Sequence, residues 1–426
     1  MPKLLIIADD ITGALDTGVQ FAQIGASVKV FVYERGNSSY FEQEVDVLVF
    51  DTETRHEKRD EAYKILWEIT KKAQKYRIQY IYKKTDSVLR GNIGSELSAV
   101  IEANEKYNEL MFVPAFPKMN RITVDGVQLV DGIEVAESSF GKDPFDPVKK
   151  SYIPDIIGIQ SSICVLTEKQ YTKDIIKENK KKIVVYDGIT EKQIKEIGKK
   201  LFLQDKLHVM AGCAGFAAYL PQILGFEKKI TEKPSLKPAF LVICGSMNPT
   251  TVKQIRHGKE VGFKRIQLTS EQKYDWKYWK SEQGEEQLRI WINLLKENER
   301  CILDCNEETV EEPDFQAENV QKTKDIGEKV AKSIGCMLKA LMEAGMDSTI
   351  MITGGDTLMG FLKNVSVSEI TPLIEILPGV VLSTYLIGEK KYQIISKSGG
   401  FGDADILEKL AKVILSEREI TKNEAV

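Results

Sequence analysis

Two adjacent carboxylates, Asp9 and Asp10, follow the first apolar run of the chain in the segment ADDITGALDTG. Carboxylates at the end of a strand can accept hydrogen bonds from sugar hydroxyls, and one of them can act as a general base. The alternative is structural, because Asp10 or Thr12 can cap the helix that the next residues predict. The motif leaves both interpretations open. Since no G-x-G-x-x-G pattern follows, it argues against a dinucleotide site.

A second polar segment, KKTDSVLRGNIGSEL, follows the fourth apolar run and leads into another predicted helix. Its candidate site residues are Lys83, Lys84, Asp86, Ser87, Arg90 and Asn92. A helix N-terminus offers free N–H groups and a partial positive charge, and Arg90 can bind a carboxylate through two parallel hydrogen bonds. We therefore predict an anion site here; the alternative is a surface lysine pair beside an ordinary cap. Arg55, after the third run, is a candidate second ligand, although a lone arginine is more often a solvated charge.

Three Gly-rich segments in the second half each follow an apolar run. They are CGSMNPTTVKQ (Cys244–Gln254), TGGDTLMG (Thr353–Gly360) and KSGGFGDAD (Lys397–Asp405). Backbone amides in such turns can converge on a phosphate-bearing ligand, although none of the three has the Walker A pattern. Each segment alone can equally be an ordinary helix cap. Their occurrence in one half of the chain favours a phosphate site.

Bulk composition excludes several classes of function. The chain has 426 residues, 42% of them hydrophobic, a length that favours two domains. Its formal net charge of −4 gives no indication of binding to nucleic acid or to anionic membranes. Six cysteines without metal-type spacing favour a reducing compartment, and no signal peptide or membrane span is predicted. We expect a cytoplasmic protein. With only three histidines, carboxylates, lysines and arginines must carry the chemistry.

Short apolar runs alternate with helix-period segments, which is typical of a parallel α/β sheet. The runs in the first half are Leu4–Ala8, Val28–Tyr33, Val45–Phe50, Gln79–Tyr82, Leu110–Val113, Ile183–Tyr186 and His208–Ala211. The stretch Arg121–Val135 differs, because its alternation around Asp125-Gly126 predicts a β-hairpin added to this doubly wound core. Ligands of such sheets bind beyond the carboxyl ends of the strands, which is where the polar segments lie.

The lysine- and proline-containing stretch Gly225–Pro238 is the best candidate for a linker. We therefore predict two domains, residues 1–232 and 233–426. The second domain repeats the α/β pattern with three predicted strands and two long helices, at Ala239–Cys244, Cys301–Asp304, Ser348–Ile352, Ile326–Glu343 and Ala404–Ser416.

Taken together, these segments resemble the four-carbon acid sugar kinase family nearly end to end. The resemblance rests on motifs in the family's order: ADDITGALDTG, KKTDSVLRGNIG, PAFPKMNRITVDG (Pro114–Gly126), KDPFDPV (Lys142–Val148), GCAGFA (Gly212–Ala217), CGSMNPTT, GGDT, LPGV (Leu377–Val380) and KSGGFG. Members are ATP-dependent kinases of tetronates such as threonate, erythronate and 3-oxo-tetronate. The resemblance implies an acid-binding N-terminal domain, an ATP-binding C-terminal domain and an active site in the cleft between them.

The resemblance also implies roles for individual residues. Acid-binding residues would be Asp9, Asp10, Arg55, Asp86, Ser87, Val88, Leu89 and Arg90. Nucleotide-binding residues would be Ser246, Gly354, Gly355, Asp356, Thr357, Gly399, Gly400, Phe401 and Gly402. The chain departs from the expected pattern at Cys213 (usually Ser), Asp356 (usually Glu), Gly400 (usually Asn) and Asn248-Pro249. The last three departures put nucleotide contacts in question. The segment DTGVQ in and after the first motif resembles the threonate-type members more than the 3-oxo-tetronate type.

The expected reaction is transfer of a phosphoryl group from ATP, with Mg²⁺, to the terminal hydroxyl of a four-carbon sugar acid, giving the 4-phosphate. Arg90, with Ser87 and Arg55, would hold the carboxylate; Asp10 or Asp86 would orient or deprotonate the hydroxyl; and Lys83 or Lys84 would balance charge. Two alternatives are a sugar-acid-phosphate phosphatase or isomerase and a non-catalytic sensor of acid and nucleotide. The oligomeric state is left open, with a homodimer as the candidate.

Overall fold

A computed structural model describes residues 1–143, 146–173, 180–229, 235–237, 239–246, 248–306 and 320–423. They form two compact units, Met1–Thr231 and Glu232–Val426, which we call the N-terminal and C-terminal units. The boundary predicted between residues 232 and 233 lies outside the described residues.

Eight described strands of the N-terminal unit form one sheet, in the order β2-β3-β1-β4-β11-β5-β10-β9, and all their pairings are parallel. The strands of this unit are β1 (Leu4–Ala8), β2 (Val28–Val32), β3 (Val47–Asp51), β4 (Tyr80–Lys84), β5 (Glu109–Val113), β6 (Arg121–Val124), β7 (Val127–Val130), β8 (Ile133–Glu134), β9 (Cys164–Thr167), β10 (Lys182–Val185) and β11 (Val209–Gly212). Its helices are α1 (Ile11–Ala22), α2 (Arg59–Lys75), α3 (Ile93–Ala103), α4 (Ile153–Gly158), α5 (Glu168–Lys173), α6 (Glu191–Leu203), α7 (Ala214–Ala217) and α8 (Leu220–Ile223).

Strand register brings the polar segments of this unit together. The central strand β1 is buried along its whole length, as its sequence LLIIA predicts. Its last residue, Ala8, pairs with Asp51 on one side and with Lys84 on the other. The segments that follow β1, β3 and β4 therefore leave the sheet at the same edge.

The predicted hairpin is confirmed and extended by a third strand. Strands β6, β7 and β8 form a separate antiparallel sheet. Asp125 and Gly126, between β6 and β7, have φ angles of 51° and 77°, the left-handed pair that a two-residue hairpin turn of this type requires.

The C-terminal unit contains a mixed sheet, in the order β13-β14-β12-β15-β18-β17-β16. Its strands are β12 (Phe240–Cys244), β13 (Lys264–Gln267), β14 (Arg300–Asp304), β15 (Thr349–Thr353), β16 (Glu369–Leu377), β17 (Val380–Ile387) and β18 (Lys390–Lys397). Its helices are α9 (Pro249–Glu260), α10 (Ser270–Tyr274), α11 (Glu282–Glu297), α12 (Val320–Glu343), α13 (Gly355–Asn364) and α14 (Ile406–Asn423).

The predicted class, two α/β domains with mostly parallel sheets, is confirmed, but an antiparallel meander in the second domain was not predicted. Strands β16, β17 and β18 pair antiparallel through tight turns. Gly379 and Gly388, in these turns, have φ angles of 72° and 58°, so both turns have the glycine that they need. The meander places the end of β18 beside β15, because Lys397 pairs with Thr353.

None of the helices in the described ranges is both long enough and apolar enough to cross a membrane.

Candidate functional site

Asp10 caps helix α1 and also faces the candidate site. Its Oδ1 accepts a hydrogen bond from the backbone N–H of Gly13 at 2.9 Å, and its Oδ2 accepts one from the Thr12 hydroxyl at 2.9 Å. The structural and the functional interpretations of this residue are therefore compatible. Of the two predicted caps, Asp10 is the one that the structure uses.

Arg55 is the centre of the polar cluster in the N-terminal unit. Its Nε donates to Asp9 Oδ2 at 2.7 Å and its Nη1 to Asp10 Oδ2 at 2.8 Å, while its Nη2 lies 3.7 Å from Asp86 Oδ2. The side chain is only 12% exposed, so this arginine is an integral part of the cluster and not a solvated charge. Burial alone would raise the pKa of Asp10, but the Arg55 guanidinium and the Lys84 ammonium outweigh it and hold that pKa below its usual value.

Asp86 and Arg90 form a second ion pair in the same cluster. Arg90 Nε lies 3.2 Å from Asp86 Oδ1 and Nη2 lies 2.8 Å from Oδ2. The backbone N–H groups of Val88 and Arg90 donate to the same Oδ1. Burial opposes the charged form of Asp86, yet Arg90 and Arg55 keep its pKa well below the usual range. Arg90, which was predicted to bind the carboxylate of a ligand, therefore already binds a carboxylate of the protein, that of Asp86.

The turn that carries this pair is strained. Leu89 has a φ angle of 66°, a left-handed conformation that costs a residue other than glycine about 1–3 kcal/mol. Such strain persists only where the surroundings hold it. Here the two backbone bonds to Asp86 Oδ1 and the bidentate Arg90 contact hold the turn.

One predicted feature of this segment is wrong. The first N–H groups of helix α3 are not free, because Gly94 and Ser95 both donate to Gln160 Oε1, at 2.8 and 3.3 Å. Asn92 has a structural contact as well, since its Nδ2 donates to the carbonyl oxygens of Thr54 and Glu57. Binding of an anion at this helix terminus would require displacement of the Gln160 amide. The arginines, not the helix, are the available anion ligands here.

Lys83 and Lys84 have different environments, as expected for neighbours that point to opposite faces of strand β4. Lys83 Nζ lies 3.0 Å from Glu96 Oε2, and both side chains are fully buried. Lys84 instead lies beside the start of helix α1: a Cβ added at Gly13 would lie 2.6 Å from Lys84 Nζ and 2.5 Å from Asp10 Oδ1. Of the two lysines, Lys84 is the one that adjoins Asp10.

Two further residues of the cluster, Arg121 and Gln128 on the β6–β7 hairpin, were not predicted as site residues. Arg121 Nη1 donates to the Ser87 hydroxyl, and Gln128 Nε2 donates to the Ser87 carbonyl at 3.0 Å. The Phe140 ring lies 5.6 Å from the Arg121 guanidinium and 5.5 Å from that of Arg90, within cation–π range. The available signal was Arg121 in the motif PAFPKMNRITVDG, where a charged residue occupies an inward position of a half-buried ribbon.

The departure at Cys213 preserves the hydrogen-bonding role that a serine would have. Its Sγ lies 3.3 Å from the Pro114 carbonyl and 3.5 Å from that of Ala115. Burial raises the pKa of this thiol to about 11, so it remains a neutral donor. The substitution therefore changes a hydroxyl donor into a weaker thiol donor.

In the C-terminal unit the three Gly-rich turns lie next to one another. They follow β12, β15 and β18, which are neighbours in the sheet. A Cβ added at Gly399 would lie 2.7 Å from Ser246 Oγ, and one at Gly354 would lie 3.4 Å from Ser246 Cβ. The three turns are thus packed against one another at the carboxyl edge of this sheet, with Ser246 between the other two. Met247 in the first turn lies outside the described residues.

The two helices that start in these turns have different N-termini. Helix α9 is capped by Asn248, whose side chain accepts from Thr250 N–H at 3.0 Å, and Pro249 occupies its first turn. The unusual Asn248-Pro249 pair is therefore a standard helix start. Helix α13 begins after Gly354, which has a φ angle of 99° and supplies no side-chain cap. Its first N–H groups are suited to an anionic ligand.

Gly400, at the position where the resemblance led us to expect Asn, lies in open surroundings. A Cβ there would meet only Asn248 Nδ2, at 3.8 Å. Asp356, in the first turn of helix α13, is exposed, and Thr357 beside it is buried. Within the described ranges no group of three or more His, Cys, Asp or Glu side chains is placed to hold a metal ion.

Comparison with known proteins gives matches over both units. The family model of a sugar-binding N-terminal domain matches residues 4–220, and that of a nucleotide-binding C-terminal domain matches residues 241–407. In its fold, the chain is similar to a solved Salmonella typhimurium LT2 protein, with a TM-score of 0.72 at 19% identity over 96% of this chain and 98% of that one. A solved Haemophilus influenzae protein gives a TM-score of 0.68 at 19% identity, over 96% and 100% of the two chains.

Curated relatives add the activity class. A D-threonate kinase of Salmonella typhimurium is 26% identical over 95% of this chain and 96% of its own length. A D-threonate kinase of Bordetella bronchiseptica is 25% identical over 99% of both chains. A D-erythronate kinase of Heliobacterium modesticaldum is 31% identical over 60% of each. The motifs, the two family models and these relatives agree: the chain is a kinase and belongs to the four-carbon acid sugar kinase family.

Proposed function

We propose that this kinase transfers the γ-phosphoryl group of ATP to the terminal hydroxyl of a four-carbon sugar acid, of the threonate or erythronate type, to give the 4-phosphate. The observation that carries the proposal is the largely buried cluster of Asp10, Arg55, Asp86 and Arg90, whose side chains are 8–23% exposed and which combines two arginines with hydroxyl-accepting carboxylates. A small ligand that bears one carboxylate and several hydroxyls complements such a mixture. A cavity of about 370 Å³, within the usual size of small-molecule sites, is lined by Arg55, Leu89 and Arg90, whereas Asp10, Lys84 and Asp86 are not among its described lining residues.

The arginines would bind the carboxylate of the acid. A guanidinium has five N–H donors, and Arg90 uses Nε and Nη2 for Asp86 while Nη1 lies 3.3 Å from Asp143 Oδ2. A substrate carboxylate can take the place of Asp143 without breaking the Asp86 pair. Ser87, Val88 and Leu89, in the strained turn, would line the acid beside Arg90. Because the carboxylate end of the acid is held in place, the length of the carbon chain determines the position of its terminal hydroxyl.

Asp10 would orient that hydroxyl, with Lys84 beside it to balance charge. A carboxylate with a lowered pKa is a weak base, but phosphoryl transfer through a loose transition state asks for alignment more than for proton removal. Positioning by Asp10 therefore satisfies what the reaction requires. Asp86 is less suited to this role, because its side chain is only 8% exposed, whereas that of Asp10 is 18% exposed.

The C-terminal unit would hold ATP through the adjacent turns around Ser246, Gly354–Thr357 and Gly399–Gly402. The uncapped start of helix α13 and the close approach of Gly399 to Ser246 fit a phosphate chain. Bound Mg-ATP supplies the transferred group and a cation that neutralises the phosphates, and Mg²⁺ is commonly held by substrate phosphates and few protein ligands. Transfer in a cleft between the domains, and a homodimeric assembly, stay predictions.

The proposal is tested by ADP release from Mg-ATP in the presence of D- and L-threonate, D- and L-erythronate, and five- and six-carbon aldonates. Turnover with a four-carbon acid and little with the longer acids is the expected result. Binding of acid and ATP without ADP release would instead favour a sensor. Absence of nucleotide binding, with turnover of a phosphorylated sugar acid, would favour a phosphatase or isomerase.

Gly13→Ala provides a prediction that separates function from stability. The added methyl group would displace the ends of the Asp10 and Lys84 side chains, which are flexible but are the atoms proposed to act on the hydroxyl. We expect turnover to fall by about 10²-fold, the scale of a 1 Å misplacement, while the free energy of unfolding changes by no more than about 1–2 kcal/mol. Steady-state kinetics and urea unfolding measure the two effects.

The matched control is Gly327→Ala in helix α12, where an added Cβ meets nothing within 4 Å. This variant should retain full turnover. Equal turnover in the Gly13 and Gly327 variants would show that the positions of the Asp10 and Lys84 side chains do not matter for the reaction.

A further inference from the structure

In the turn after strand β18, most of the carbonyl oxygens accept hydrogen bonds from neighbouring side chains. Thr251 Oγ1 donates to the Gly399 carbonyl at 2.8 Å, and Gln254 Nε2 donates to those of Phe401 and Gly402 at 2.9 and 2.8 Å. Lys397 Nζ donates to the carbonyls of Ser398 and Phe401 at 2.8 and 3.1 Å. Three side chains thus hold four of the five carbonyls of residues 398–402.

The three donors are buried, so these contacts are specific and not solvent-averaged. Thr251 is 2% exposed, and Gln254 and Lys397 are 1% exposed each. Within the described residues, the Lys397 ammonium forms no ion pair, and its only side-chain hydrogen bonds are to the two carbonyl groups of the turn. A buried cation satisfied only by main-chain carbonyls is costly, and in this fold it is placed directly under the Gly-rich turn.

Holding the carbonyls also determines where the amides point. In a trans peptide the C=O and the next residue's N–H point in opposite directions. With the carbonyls of Ser398, Gly399, Phe401 and Gly402 directed at the three donors, the N–H groups of Gly399, Gly400, Gly402 and Asp403 point away from them. A run of N–H groups facing one way is an anion-binding arrangement.

We propose that Thr251, Gln254 and Lys397 are positioning residues that hold this turn in its phosphate-binding form, with its N–H groups toward the phosphates of a nucleotide. The inference rests on the proposed function, because it takes ATP as the ligand of the C-terminal unit. Releasing the carbonyls would let a peptide rotate and would present an oxygen to the phosphates in place of an N–H. None of the three side chains needs to touch the nucleotide for this effect.

The glycines of the turn fit this role. Gly402 has a φ angle of 84°, which favours glycine, and a Cβ on Gly399 would lie 2.7 Å from Ser246 Oγ. Within the turn itself, one backbone hydrogen bond is present, from the Phe401 N–H to the Ser398 carbonyl at 3.3 Å, and three of its five residues are glycines. Its peptide orientations therefore depend on the neighbouring donors.

The test compares binding of ADP and of adenosine to the full-length protein by calorimetry, for Gln254→Glu, Thr251→Val and Lys397→Met. Gln254→Glu is nearly isosteric and replaces a donor to two carbonyls by an acceptor. We expect ADP affinity to fall by about tenfold, the size expected for loss of one or two such hydrogen bonds, with adenosine affinity and the KM for the acid unchanged. Lys397→Arg should recover part of the ADP affinity that Lys397→Met loses.

Gln267→Glu is the matched control, because Gln267 is exposed on β13 and its Nε2 donates to the carbonyl of Asn306, not to the turn. The control should bind ADP like the wild type. Parallel losses of ADP and adenosine affinity in the three variants would overturn the inference, as would unchanged ADP affinity in Gln254→Glu and Thr251→Val. Failure of the wild type to bind ADP would overturn the proposed function itself, and this inference with it.

Discussion

Replacing Asp10 by asparagine is expected to lower turnover by at least about 10²-fold, the scale for misplacement of a reacting group by 1 Å, because the hydroxyl loses the carboxylate that aligns it. Asparagine is nearly isosteric and is itself a good N-cap, so the cap on Gly13 N–H is retained. The variant therefore isolates the loss of the carboxylate charge beside Arg55 and Lys84. Initial rates with Mg-ATP and a four-carbon acid measure the effect, and ATP binding by calorimetry should be unchanged.

Asp205→Asn serves as the control for the Asp10 variant, because Asp205 is 88% exposed and lies outside the cluster. It should have wild-type turnover. If Asp10→Asn were as active as this control, Asp10 would have no part in the reaction, and the orienting role would have to be assigned to another group.

Arg55→Met is expected to reduce the free energy of unfolding by about 3–5 kcal/mol, the cost of leaving buried charges without their partner. Asp9 and Asp10 would lose the guanidinium that pairs with both, whereas Asp86 would keep Arg90. Acid binding should also be lost, because one of the two proposed carboxylate ligands is absent. Urea unfolding and acid titration measure the two consequences.

Two further variants make the Arg55 test decisive. Arg59→Met removes an exposed arginine four residues away, so its stability should lie within about 0.5 kcal/mol of the wild type. Asp9→Asn and Asp10→Asn, added to Arg55→Met, should recover much of the stability without recovering activity, because they remove the uncompensated charges. Equal stability of the Arg55 and Arg59 variants would contradict the buried cluster.

Several parts of the fold follow from local sequence patterns. The run Leu4–Ala8 is apolar at every position, which is typical of a central parallel strand, and β1 has these bounds. The Asp125-Gly126 signal predicted the β6–β7 turn for a physical reason, since both residues adopt positive φ angles. The β16–β18 meander was missed, although Gly379 and Gly388 marked its turns, because the second half was interpreted as a uniform parallel pattern.

The candidate site was predictable in its residue types but not in its pairings. Asp10, Arg55 and Arg90 stood out because they follow predicted strands, and the structure brings them to one edge. The contact between Gln160 and the start of helix α3 joins residues 66 positions apart, which no local pattern indicates. The Asp86–Arg90 pair depends on the left-handed conformation of Leu89. A leucine rarely adopts this conformation, so nothing in the sequence led us to expect it.

The choice between Lys83 and Lys84 was only partly predictable from the sequence. Neighbours in a strand point to opposite faces, so only one of them could lie beside Asp10, but the face on which helix α1 lies was not evident from the sequence. The structure places Glu96 against Lys83 and Gly13 against Lys84.

Phosphorylation of a four-carbon sugar acid is tested directly by identification of the product by ³¹P and proton NMR, after incubation of the protein with Mg-ATP and D-threonate or D-erythronate. We expect ADP and, with one of the acids, a new phosphomonoester whose phosphorus couples to two protons on the terminal carbon. A phosphomonoester on an inner carbon would contradict the proposal that chain length places the terminal hydroxyl for phosphorylation. Inorganic phosphate alone, or no change in the spectrum with any four-carbon acid, would contradict the claim that this protein phosphorylates a four-carbon sugar acid.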